Sequence, residues 1–183
     1  MKIILTIEMH NYWHCGSGLA AGADMDALVI KDKDGLPYIP GKTIKGLIRE
    51  AVDTLLQVDK QEVKEYDATF GYFADKDSRL CAASYFKNAT LSEEEANQII
   101  KSGLQRFLYT SIANTAIDTE TETAKEHSLR KIEVSMPCTL HCEILDVPES
   151  MADILIRSIG LIKNLGVNRN RGLGRCTWKG AKE

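Results

Sequence analysis

At 183 residues, 44% hydrophobic and 27% charged, the chain has the size and composition of one globular domain that can bury a core without disulfides or metals. That composition excludes collagen, a coiled-coil rod and a fully disordered chain. No apolar run approaches the ~18 residues of a membrane span, and the start Met1–Glu8 turns polar too soon for a secretory leader, so a cytoplasmic location with no membrane partner is expected. The formal net charge of −3 argues, by itself, weakly against nucleic acid as a partner.

In chain order, Lys2–His10 alternates, with Ile3, Leu5, Ile7 and Met9 on one face, and predicts a strand buried on one side. Asn11–Met25 contains Gly16, Gly18 and Gly22 and reads as a loop; Lys33-Asp34-Gly35 reads as a turn. From about Lys42 to Leu56, the spacing of Ile44, Leu47, Ile48, Val52 and Leu55 predicts a helix opened by Pro40-Gly41. Val63–Phe70 predicts a weaker helix and Arg79–Phe86 a strand. Ser92 and Glu95 form a capping-box pattern at the start of another helix. Phe107–Arg130 shows no clear period, and Thr119–Glu126 within it is polar and acidic. Thr139–Leu145 predicts a strand, Pro148–Leu165 a helix stopped by Gly166, and Gly174–Lys179 a closing strand. The long elements follow the order strand, helix, strand, strand, helix, strand. That is the α+β ferredoxin-like pattern, shared by RRM-like RNA-recognition modules, of an antiparallel sheet with helices on one face.

The small net charge hides an uneven distribution. Residues 157–183 carry seven basic side chains against one acidic, and residues 50–100 carry eleven acidic against five basic. Gly166-Val167-Asn168-Arg169-Asn170-Arg171-Gly172-Leu173-Gly174-Arg175 combines three glycines, which permit tight turns and close approach, with arginine forks suited to phosphate. Its backbone N–H groups are candidates for an anion nest. In Leu36-Pro37-Tyr38-Ile39-Pro40-Gly41-Lys42-Thr43-Ile44-Lys45-Gly46-Leu47-Ile48-Arg49 the Gly-Lys-Thr triplet suggests a P-loop, but position 36 is Leu where that motif needs glycine. A helix start bearing Lys42, Thr43 and Lys45 still suits a phosphate backbone.

Five cysteines (Cys15, Cys81, Cys138, Cys142, Cys176) without a CxxC pair read as buried small apolar residues. His10, His14, Cys15, His141 and Cys142 would form a zinc site only if the loop after the first strand folds back, so no metal ligands are assigned. Tyr12, Trp13, Tyr38, Tyr85, Phe86 and Tyr109 are candidates for stacking on bases or for the core; Trp178 reads as core.

The segments 36–49 and 166–175 together resemble the RAMP superfamily. Phe70-Gly71 followed by Ser78-Arg79-Leu80, and Asp26-Ala27-Leu28-Val29-Ile30-Lys31-Asp32, are similar to elements of backbone subunits of type III CRISPR effector complexes. The sequence departs from that pattern where Lys42 precedes Thr43 and where Ser84 replaces a frequent aspartate. The resemblance implies a single domain over 1–183 with a thumb-like insertion at about 108–133. It implies an antiviral RNA-binding subunit that stacks with copies of itself and with other effector subunits along a guide RNA. Within that family an aspartate, here Asp26 rather than Asp24, supports Mg2+- or Mn2+-dependent endoribonuclease cleavage of the paired target RNA. The RNA contacts it implies are Lys42, Thr43, Lys45, Arg49, Arg79, Arg130, Lys131, Asn168, Arg169, Arg171, Gly172 and Gly174. Two alternatives stand beside it: a non-catalytic RNA-binding scaffold, and a histidine-dependent guide-RNA-processing nuclease of the same superfamily.

Overall fold

The computed structural model describes all residues except 23, 61, 62, 64, 76, 77 and 81, and the backbone alone at 72–75 and 78–80. Strand β1 (Ile3–Met9) forms where expected, with its odd positions buried. Helix α1 (Gly41–Asp59) buries Ile44, Ile48, Ala51 and Val52. Helix α2 (Tyr66–Phe70) is shorter than the predicted Val63–Phe70. Strands β2 (Tyr72–Asp75) and β3 (Ser78–Leu80) then pair with each other, and β4 (Tyr85–Phe86) follows. Helix α3 (Glu93–Ser102) is capped by Ser92, whose hydroxyl accepts the Glu95 N–H. A 3-10 turn, Gln105–Leu108, leads into β5 (Tyr109–Asn114), which pairs with β6 (Arg130–Ser135). Strand β7 (Thr139–Leu145), α4 (Glu149–Ile159) and β8 (Cys176–Lys182) complete the chain.

The main sheet has the order β4-β7-β1-β8, antiparallel throughout. Taking β1, β4, β7 and β8 as first to fourth, this is the ferredoxin-like arrangement. The buried face carries Ile3, Leu5, Ile7, Phe86, Leu140, Cys142, Ile144 and Trp178, on which α1 and α4 pack. Thr6, Glu8, His141, Thr177 and Lys179 alternate onto the other face, as the period-two geometry of strands requires. Among the described residues no helix is long and apolar enough to cross a membrane.

Three expectations need correction. The predicted strand Arg79–Phe86 is two pieces in different sheets: Leu80 pairs with Tyr72, whereas Tyr85 pairs with Leu145. Between them Ala83 N–H donates to Ala68 O, and buried Ser84 donates to Asp146 O. Helix α4 ends at Ile159, not Leu165. Ile162 and Leu165 are buried nonetheless, because Leu165 N–H donates to Gly174 O and Cys176 N–H to Lys163 O, making 163–165 an extended edge to the chain entering β8. Helical spacing of apolar residues there came from an extended segment. The aperiodic stretch 107–130 contains β5, whose hairpin with β6 stands off the main sheet. No residue of β5 is fully buried, so the strand carries no alternation to read.

Cys15, Cys142 and Cys176 are buried and Cys138 half-buried, all as free thiols; Cys81 lies outside the described residues. Burial pushes the Cys15, Cys138 and Cys142 thiols up to about 12 and raises Cys176 as well. The thiolate is the nucleophile, and it is scarce below such a value. Iodoacetamide at pH 8 is therefore predicted to leave these four cysteines unmodified in the folded chain and to alkylate them in urea, as read by peptide mass spectrometry.

Candidate nucleic-acid interface

The chain leaving β1 does not wander as a plain loop. It doubles back on itself through Ile30 N–H to Cys15 O (2.8 Å), Ser17 N–H to Leu28 O (2.9 Å) and Ala21 N–H to Met25 O (2.9 Å). Its outgoing arm meets β6 where Trp13 and Ser135 exchange backbone bonds, and its return arm lies parallel to β6 through Ala27 and Ile132. Asp26 sits on that return arm. Its N–H donates to Lys131 O (2.8 Å), and its exposed carboxylate accepts the Lys131 N–H on Oδ2 (2.7 Å). Asp26 and Lys131, predicted from segments far apart in sequence, are thus in direct contact. Asp24 lies at the exposed tip beyond them.

The segment 166–175 rests on the other side of the β1 exit. Val167 N–H donates to His14 O (2.9 Å) and Gly174 N–H to Tyr12 O (2.8 Å). The Asn11 side chain bridges the two ends, donating to Gly172 O (2.6 Å) and accepting from Arg175 N–H (2.8 Å). A Cβ at Gly174 would lie 1.8 Å from Leu165 O, and one at Gly166 2.4 Å from His14 O. The close approach that glycine permits is, at these two positions, made by the chain to itself. The N–H groups of Val167, Arg171, Leu173, Gly174 and Arg175 are all committed internally, so the anion-nest expectation is narrowed to the remaining ones. Gly172, at φ 89°, faces open space.

Three of the predicted residues converge. Arg130 from the β6 start, with Asn168 and Arg171 from the glycine segment, lines a cavity of about 410 Å³. Asn114 and Thr115 join them, over an apolar floor that includes Ile112, Ile132 and Leu173. Arginine forks above apolar side chains suit a phosphate and the ring attached to it. Nothing in the sequence singles out Asn114 and Thr115, which end and follow a strand with no burial pattern.

The other predicted residues lie elsewhere. Arg169 turns away to Glu50 on α1, at 3.4 Å. Lys42, Thr43, Lys45 and Arg49 lie along α1. Its start is anchored on β4: Gly41 N–H donates to Asn88 Oδ1 (2.9 Å), and a Cβ at Gly41 would meet Phe86 O at 2.0 Å. Lys42, Thr43, Lys45 and Arg49 do not line the Arg130–Arg171 cavity. Arg49 Nε donates to Tyr66 OH (3.0 Å), which in turn donates to Asp53. Arg79 falls on β3, where the backbone alone is described.

Among the described residues no group of three or more His, Cys, Asp or Glu is placed to hold a metal. His141 and Cys142 point to opposite faces of β7, and buried His14 gives its Nδ1 hydrogen to Glu133 O (2.6 Å). His10 is exposed, 2.7 Å from Thr177 Oγ1, in a separate basin with Lys163 and Arg175. Of the aromatic candidates, Trp13, Phe86 and Trp178 are buried, and Tyr12 and Tyr85 are exposed. Phe107, unremarked in the sequence, is also exposed, under the Arg106 guanidinium at 4.6 Å.

A ferredoxin-like sheet, a glycine segment before its last strand and a hairpin inserted before β7 define an elaborated α+β domain of the ferredoxin-like class. The chain belongs to the RAMP superfamily, whose family profile matches residues 6–177. It is similar in fold to a chain of the type III-B Cmr-β complex bound to cognate target RNA (TM-score 0.69, 12% identity, covering 98% of this chain and 97% of that one). The apo state of Cmr-β gives TM-score 0.68 at 12% identity, covering 100% and 98%. A chain of a type IV-B CRISPR complex gives 0.64 at 13%, covering 99% and 90%. No curated protein matches by sequence.

The glycine geometry yields a ranking. Gly174→Ala is predicted to cost roughly 3 kcal/mol, since strain at positive φ adds to a clash with backbone. Gly172→Ala, strained in φ alone, is predicted to cost about 1 kcal/mol. Urea denaturation of the two variants reads the difference.

Proposed function

We propose that this chain is a guide-RNA-binding backbone subunit of a type III CRISPR effector complex. The observation that carries the reading is the convergence of Arg130, Asn168 and Arg171 on one cavity beside the Asp26–Lys131 contact. Membership of the superfamily and the fold shared with chains of type III-B and type IV-B assemblies support it. The chain's partners are then guide RNA, the complementary target, other effector subunits and further copies of itself stacked in a filament in the cytoplasm. Arg130 and Arg171 neutralise phosphates; Asn114 and Asn168 offer amide donors and acceptors to an unpaired base.

Target cleavage is assigned to Asp26. A single carboxylate fits Mg2+ or Mn2+ only as one ligand among several, the rest being phosphate oxygens and water. Asp26 meets that condition: Oδ2 is held by the Lys131 N–H, and among the described residues no hydrogen bond engages Oδ1. A bound divalent ion would supply Lewis-acid stabilisation of charge developing on the scissile phosphate. The protein's part is to hold the carboxylate at a constant position and to fix the backbone with Arg130 and Arg171.

A second reading, RNA binding and assembly without cleavage, is favoured by one observation: the Asp26 carboxylate already has a structural partner at the start of β6. The histidine-dependent alternative has its best-placed residue in His10, beside Lys163 and Arg175.

The deciding experiment reconstitutes the chain with guide RNA and partner subunits and adds labelled complementary RNA with Mg2+ or Mn2+. Wild type is expected to give regularly spaced cuts that Asp26→Ala loses while binding is kept. Tight binding without cuts in either protein would make the chain a scaffold; metal-independent cuts abolished by His10→Ala would make it a processing nuclease. Arg130→Ala and Arg171→Ala are each expected to weaken RNA binding and to lower the slope of log affinity against log salt by about 1. Arg169→Ala, whose side chain is occupied by Glu50, is expected to do less.

A further inference from the structure

Glu133 was assigned no role by the sequence, yet each polar group it has is engaged by the chain that leaves β1. Its carboxylate is buried. Oε2 accepts the Val29 N–H (3.0 Å) and Oε1 accepts Lys31 Nζ (2.8 Å). Its own N–H donates to Ala27 O (3.0 Å), and its carbonyl accepts from His14 Nδ1 (2.6 Å). Lys31 Nζ also lies 4.1 Å from the Tyr109 ring centroid, and Tyr109 OH donates to Gly35 O (2.8 Å), which extends the clamp to β5 and to the turn beyond. A buried carboxylate is costly unless its oxygens are paired, and here both are. What they pair with is the segment that carries Asp26, at Val29 and Lys31 further along the same arm.

We infer that Glu133 is the positioning residue of this site: it locks the return arm 26–31 onto β6, so that the Asp26 carboxylate, Lys131 and Arg130 keep one spatial relation. Lys131 N–H holds Asp26 directly but lies at the exposed end of the contact. Glu133 holds the same arm from its buried end, where water does not compete for the Val29 N–H, while Lys31 reaches its carboxylate from the solvent side. The inference rests on the reading of Asp26 as the cleavage residue, and it adds a consequence of its own: removing Glu133 releases the arm without loosening the main sheet.

The test uses Glu133→Ala and Glu133→Gln in the reconstituted complex with guide RNA. Hydrogen exchange is followed over peptides spanning 24–31 and 128–134, with β1 and β7 as internal references. Glu133→Ala is expected to speed exchange in 24–31 by about tenfold or more and leave β1 and β7 unchanged, as local opening requires. At saturating target RNA it is expected to slow cleavage by roughly tenfold with KM and guide affinity within about twofold, the signature of a lost positioning effect rather than lost binding. Glu133→Gln keeps an acceptor for Val29 N–H and loses the Lys31 ion pair, so it is expected to fall between wild type and alanine; should the alanine variant fail to assemble, it carries the test. Unchanged exchange in 24–31, or exchange raised equally in β1 and β7, would overturn the inference. If wild type gives no cuts at all, the cleavage reading falls, and the exchange data alone decide whether Glu133 holds the arm.

Discussion

The arrangement depends on two places where the chain lies closer to itself than a side chain would allow. At Gly174 a Cβ would stand 1.8 Å from Leu165 O, and at Gly166 2.4 Å from His14 O. Lacking Cβ atoms, the segment between α4 and β8 can lie flat on the exit of β1 and satisfy its backbone there. That contact fixes where Asn168 and Arg171 stand. It also presses residues 12–15 towards β6, where Trp13 pairs with Ser135 and His14 with Glu133. The glycines are thus the base on which the inserted hairpin is mounted.

The candidate interface is a junction rather than a surface of any single element. The main sheet contributes its β1 exit, the hairpin contributes β6, and the glycine segment closes the third side. Charge is sorted at the same junction. Basic residues near the C-terminus look alike in sequence, but Arg169 is drawn to Glu50, whereas Arg171 lines the cavity with Arg130. An exposed pair such as Arg169–Glu50 is weak, so its effect is mainly on where the guanidinium points.

Elements were legible where one face is buried against the core. Alternation in Ile3–Met9 and Thr139–Leu145, helical spacing from Ile44 to Val52 and the Ser92 cap all correspond to structure observed at those residues. Legibility failed where burial follows from something else. Ile162 and Leu165 have helical spacing but are buried as an extended edge beside Gly174 and Cys176. Strand β5 has both faces largely open, so its residues carry no period. Arg79–Phe86 reads as one strand because it is a short, mostly apolar run, although its two ends pair in different sheets.

What the sequence determined by itself is the ferredoxin-like order of elements and the residue types of the proposed RNA-binding site, since both are written in local periodicity and in short motifs. Only the tertiary structure decided which of those residues meet. Asp26 and Lys131 are 105 positions apart, and Arg130 and Arg171 come from different elements; nothing local in the sequence ties one to the other. Glu133 shows the same limit most plainly. A glutamate between Ile132 and Val134 looks like the solvated face of a strand, and it becomes a buried clamp only because the chain leaving β1 folds back to offer it Val29 N–H and Lys31.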